Sequence, residues 1–181
     1  MTEWTKVPAW RAGGPVDRAG SNPAPGAINA SKKWVHELAG GFRFLEHTAD
    51  AYVEVWGETL EELFEYAAIS MFEVMVDTRS VEPKYGYDVK VSGMDLENLM
   101  YKWLEEWLII HSIENVVFSK FKVFNIVKGE ENTLTILGKG WGEPLDYDRH
   151  DVKTEVKAVT YSNMMIRKMD GKWLARIVFD I

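Results

Sequence analysis

No cysteine occurs among the 181 residues. Disulfide frameworks, thiolate zinc sites and cysteine nucleophiles are therefore excluded together, and any metal must sit on oxygen or imidazole. No apolar run approaches the roughly 18 to 20 residues that would cross a bilayer, and the N-terminus lacks the apolar block of a secretory signal, so a soluble, cytoplasmic protein is expected. The chain also lacks a basic excess: its formal net charge is −7. After residue 40 there are 16 Lys or Arg against 25 Asp or Glu, a balance that argues against a main role in gripping phosphate backbones. No GxSxG elbow, no HExxH pair and no GxxxxGK followed by Ser or Thr is present, which removes the common hydrolase, zinc-protease and P-loop schemes. Gly138-Lys139-Gly140-Trp141-Gly142 is glycine-rich but fits no phosphate-binding pattern, and reads as a bulged strand end.

What is present is enough for one core, since 46% of the residues are apolar. Four of the six prolines and five of the 14 glycines fall in residues 1–40. That stretch reads as a flexible Pro/Gly-rich extension, although Trp4, Trp10 and Trp34 could dock on the body or on a partner. The domain proper then runs over 41–181. Thr59 followed by Glu62 forms a capping box, and Leu60, Leu63, Phe64, Ala67, Met71 and Met75 recur at helical spacing to about Val76. Leu96, Leu99, Met100, Trp103, Leu104, Trp107 and Leu108 mark a second amphipathic helix over about 95–112. Strands are predicted at 42–45, 51–56, 87–91, 116–127, 133–141, 155–161, 164–168 and 173–180, the last two joined by a tight Asp170-Gly171 turn. The class is α+β: two amphipathic helices packed on a mixed, largely antiparallel β-sheet.

Three places could carry chemistry. Glu46-His47-Thr48-Ala49-Asp50 sets two carboxylates, an imidazole and a hydroxyl between two strands, which suits either a hard cation or an ordinary capped turn. At the far end, the apolar run Ile177-Val178-Phe179 leads into Asp180 and the carboxylate of Ile181, two anions that would gain from a counter-charge. Should the terminal strand lie beside the first tract, an oxygen-rich site would form. Third, alternation over 153–161 puts Glu155, Lys157, Val159 and Tyr161 on one strand face, where Lys157 would either hold an anion or guard a sheet edge. His111 and His150 read as surface histidines, because neither has a second imidazole at ligand spacing.

Five motifs in order, Glu46-His47-Thr48-Ala49-Asp50, Trp56-Gly57-Glu58-Thr59-Leu60-Glu61-Glu62, Gly140-Trp141-Gly142-Glu143, Glu155-Val156-Lys157-Ala158-Val159-Thr160-Tyr161 and the terminal Asp180-Ile181, together resemble archease. The resemblance spans about residues 41–181 and leaves the first 40 outside. It implies a protein that is no enzyme itself but a cofactor of the GTP-dependent RNA-splicing (tRNA) ligase, promoting guanylylation of the ligase histidine and multiple turnover. It further implies a divalent cation, calcium with magnesium or manganese as alternatives, held by Asp50, Asp180 and the Ile181 carboxylate, with His47 behind them. Asp50, Lys157 and Asp180 would face the ligase in a transient complex, without stable nucleic-acid binding and without a membrane, in the cytoplasm and also in the nucleus of a eukaryote. The alternative is a chaperone-like adaptor that modulates RNA-processing or tRNA-modifying enzymes with no chemical role. A free-standing metal-dependent hydrolase would need a nucleophile or base in a cleft, and none is evident.

Overall fold

A computed structural model describes residues 40–45 and 50–181. The strands β1 (Gly41–Leu45), β2 (Ala51–Gly57), β3 (Tyr85–Gly93), β4 (Val116–Lys128), β5 (Leu134–Pro144), β6 (Ala158–Met169) and β7 (Lys172–Asp180) enclose two helices, α1 (Leu60–Met75) and α2 (Leu96–Glu114). The α+β class is the one the periodicities predict. The single mixed sheet is instead two sheets, in the orders β1-β2-β7-β6 and β3-β5-β4, and the strand pairs within them run antiparallel.

Local chemistry sets the helix ends. Thr59 accepts from the Glu62 N–H at 3.1 Å, and the Glu62 carboxylate reaches back to the Glu58 N–H at 2.8 Å, so two donors at the open end of α1 are satisfied. Asp95 does the same for α2 through the Asn98 N–H at 2.7 Å. The helix stops at Asn115, whose φ of 53° is left-handed. The Asp170-Gly171 turn appears as predicted, with both residues at positive φ and Met169 opposite Lys172.

The sequence marks α1 as amphipathic, yet it is buried almost all round: from Leu63 to Met75 only Glu65 and Tyr66 escape burial. The reason is its place between the sheets, against β4 on one side and β2 on the other. Its polar side chains are correspondingly occupied. Glu65 accepts the Val123 N–H at 2.9 Å where the register of β4 shifts, and Ser70 donates to the Ala67 carbonyl at 2.7 Å.

Helix α2 lies against β3, β5 and β6 and drives Trp103 and Trp107 into the core. The glycine-rich run is no strand end but the middle of β5, and the register shifts lie in β4 opposite it. A Cβ on Gly140 would meet the Trp107 ring at 2.9 Å, and one on Gly138 the Trp103 ring at 2.6 Å, so these glycines make room for two indoles. Trp107 then contacts Phe118 and Phe121 at ring separations of 5.2 and 5.0 Å, edge-on geometry that suits aromatic quadrupoles.

Candidate functional site at the end of the four-stranded sheet

In the central pair of that sheet Ala51 lies opposite Phe179, so Asp50 falls at the end of the sheet where β7 finishes in Asp180. On the other flank Ala158 lies opposite Asp180, and the Lys157 N–H donates to the Asp180 carbonyl at 2.8 Å. Antiparallel register alone therefore gathers Asp50, Lys157, Asp180 and Ile181, which are up to 131 positions apart in sequence. Asp180 and Lys157 are exposed and Asp50 is half-buried. The Ile181 side chain packs against the core, an anchor that restricts where its carboxylate can go.

Glu46, His47, Thr48 and Ala49 lie outside the described residues, so the structure gives no position for His47. Among the described residues, no three His, Asp or Glu side chains stand close enough to hold a metal. A cation at this end would need the Ile181 carboxylate or a group from 46–49 beside Asp50 and Asp180. Such a set is all oxygen apart from one imidazole, which fits a hard cation such as calcium or magnesium and not a soft one.

Lys157 is not on a strand. The alternation predicts one from residue 155, but β6 begins at Ala158, and Val156 and Val159 are buried while Lys157 is exposed. The backbone donors upstream are committed elsewhere: Lys153 N–H binds the Met75 carbonyl at 2.8 Å and Thr154 N–H the Val74 carbonyl at 3.3 Å. These are the last carbonyls of α1, which have no partner within the helix. The segment before β6 thus caps a helix instead of extending a sheet. The strands predicted separately at 155–161 and 164–168 merge from Ala158 onward into one strand, with a shift between Thr160 and Met165.

Two buried carboxylates fasten the same segment, and the sequence reading singled out neither for a role. Glu73 accepts from Thr78 N–H at 3.1 Å, Thr78 Oγ1 at 2.5 Å and Lys153 Nζ at 2.6 Å. Glu143, 2% exposed, accepts from Glu82 N–H at 2.7 Å, Lys84 Nζ at 2.9 Å, Arg149 Nη2 at 2.5 Å and His150 Nε2 at 3.1 Å. Burial pushes the Glu143 carboxyl up, but the bonds from Arg149, the Glu82 backbone, Lys84 and His150 outweigh it and hold the group well below the usual carboxylate range. His150 is consequently no surface residue: it is buried, and its Nδ1 accepts the Asp146 N–H at 3.0 Å. That bond places the ring proton on Nε2, facing Glu143. His111 is half-buried at the end of α2, with Nδ1 2.7 Å from the Val116 carbonyl. The one signal for Glu143 was its place after the glycines of β5, and a lone acid after glycines does not announce four donors.

Residues 42–181 match the Archease protein family (MTH1598/TM1083). The chain is 46% identical over 140 residues to Protein archease of Sulfurisphaera tokodaii, a match that covers 77% of this chain and 98% of the relative. It is 44% identical to Protein archease of Pyrococcus furiosus over 75% of this chain and 95% of the other. The solution structure of protein 1598 of Methanobacterium thermoautotrophicum superposes with a TM-score of 0.69 at 42% identity, covering 78% of this chain and 99% of that one. With the fold, the ordered motifs and relatives matched over nearly their full length in agreement, this chain belongs to the archease family.

Proposed function

We propose that this protein is an activator, and not itself an enzyme, of a GTP-dependent RNA-splicing ligase, promoting guanylylation of the ligase histidine and repeated turnover. The observation that carries the reading is the register that brings Asp50, Asp180, Ile181 and Lys157 to one end of the four-stranded sheet, in a chain of the archease family. Asp50, Asp180 and the Ile181 carboxylate would hold a divalent cation, calcium in the first instance, with His47 behind them. A bound cation would supply Lewis acidity toward phosphate oxygens.

The chain's own residues do the rest. Asp50 and Asp180 present negative charge at the tip and Lys157 one positive charge beside it, an arrangement able to orient triphosphate oxygens or the ligase's own metals for attack by its histidine. An acidic body is steered toward a basic RNA-binding cleft, and a small charged contact can leave again before RNA enters. No helix among the described residues is long and apolar enough to cross a membrane.

The test counts RNA ligation turnovers per ligase with the intact protein, with a variant lacking only Ile181, and with Asp50→Ala and Asp180→Ala. Many turnovers with the parent and about one with each variant is the expected result, with Asp180→Ala unchanged in stability to within about 0.5 kcal/mol because the residue is exposed. Equal stimulation by all four would overturn the tip, and stimulation by none would overturn the partner.

A further inference from the structure

The three-stranded sheet has one face on the core; on the other face the Val117–Glu143 rung is covered by Val81, Arg149 and His150, and the rungs beyond it carry exposed residues. Its inward rungs, Phe121–Gly140–Tyr87 and Val123–Gly138–Val89, meet the helices. The alternate rungs point away from them: Lys120–Trp141–Gly86, Lys122–Lys139–Asp88, Asn125–Leu137–Lys90 and Val127–Thr135–Ser92. Four lysines thus share these four rungs with one aspartate in a chain of net charge −7, a segregation that composition conceals. The lysines surround apolar surface: Leu137 is 38% exposed and Phe124, at the register shift, 60% exposed. Lys120 Nζ sits 5.3 Å from the Trp141 ring centroid. Gly86 keeps the floor beside that indole low, since a Cβ there would come within 3.2 Å of Trp141 Nε1 and run into the Lys139 chain.

We propose that this open face binds single-stranded RNA, weakly and without sequence preference. Cations along a groove together with π-faces on which bases lie are the two elements of such recognition. An acidic peptide would use the lysines and leave the Trp141, Leu137 and Phe124 surface unanswered. Residues 1–40 of this chain are poorly suited to cover it, because they carry five Lys or Arg against three acids. Two of the lysines have acidic neighbours already, Lys139 with Asp88 and Lys122 with Glu65, each at 3.0 Å, which keeps the attraction modest. The inference does not depend on the ligase reading, and its test contains no ligase.

The probe is a fluorescein-labelled 12-nucleotide single-stranded RNA, followed by anisotropy with the full chain. About three phosphate contacts predict a slope near −2 in log affinity against log salt, or roughly 20-fold weaker binding at 200 mM than at 50 mM salt. Lys90→Ala and Lys122→Ala should each weaken binding and make the slope shallower by about 0.7. Trp141→Leu, with its fold checked by circular dichroism, should weaken binding at unchanged slope. Binding to the duplex form of the same RNA should be several-fold weaker, because paired bases cannot reach the indole. No binding at 50 mM salt, parent-like binding by the three variants, equal duplex binding, or equal displacement by polyglutamate of the same charge would each overturn the proposal.

Discussion

Replacing Glu143 by Gln separates the charge of this side chain from its shape. The carboxylate is buried and takes four donors from two parts of the chain, Glu82 and Lys84 before β3, and Arg149 and His150 after β5. An amide keeps one acceptor oxygen and turns a donor toward groups that are donors themselves. Lys84 and Arg149 are 48% and 39% exposed and can rehydrate, so the penalty of a fully buried broken pair does not apply to them. The Glu82 N–H and His150 Nε2–H cannot move to water as easily, and each loses a bond to a charged acceptor. The sum is about 2–4 kcal/mol, which lowers the melting temperature by roughly 10 °C for a chain of this size. The pH dependence has a definite sign. Because the folded-state carboxyl lies below its unfolded value of about 4.3, its contribution is complete above that value and disappears as pH falls from there toward the depressed folded one. Urea unfolding at pH 7 should therefore show the full gap between parent and Glu143→Gln, and the gap should narrow progressively below about pH 4. A gap under about 0.5 kcal/mol at pH 7, or one that widens in acid, would refute the reasoning.

Lys153→Met should remove the ion pair to Glu73 and its bond to the Glu73 carbonyl, costing about 1–3 kcal/mol while faster hydrogen exchange at Thr154 reports release of the segment leading to Lys157. Substituting the Glu73 partner as well, in Glu73→Leu/Lys153→Met, should cost less in denaturant unfolding than the sum of the two single variants, because each single leaves the other charge without its partner; a double variant that costs the full sum or more would contradict it. Gly140→Ala places a methyl 2.9 Å from the Trp107 ring and should destabilise by about 1–3 kcal/mol, seen as a lower urea midpoint with altered tryptophan fluorescence, whereas an unchanged midpoint would show that β5 and α2 can separate freely.

Much of this fold is legible in the sequence because the signals are local. Apolar spacing of 3.6 residues locates both helices, the Thr59 capping box fixes the start of α1, and Asp170-Gly171 joins β6 to β7 through backbone angles those residues accept without strain. The family motifs name Asp50, Lys157, Asp180 and Ile181 in the same way. Period-2 alternation misleads at 155–157, where the backbone donors of Lys153 and Thr154 answer the last carbonyls of α1. Propensity cannot foresee a helix end that needs a distant segment. His150 escapes for a related reason: its burial depends on Glu143, seven residues away and across a turn, and on Lys84 and Arg149 closing the charge.

The sequence by itself determined the element types, the absence of thiol chemistry and the residue identities that mark the family, since each is written within a few neighbouring positions. Only the tertiary structure decided that the strands divide into two sheets, that α1 is buried almost all round between them, that register sets Ala51 opposite Phe179 and Asp180 opposite Ala158, and that four lysines collect on the exposed rungs of one sheet face. Those outcomes rest on pairings between residues tens of positions apart. Their energies come from burial and hydrogen-bond satisfaction summed over the whole core, which no local window contains.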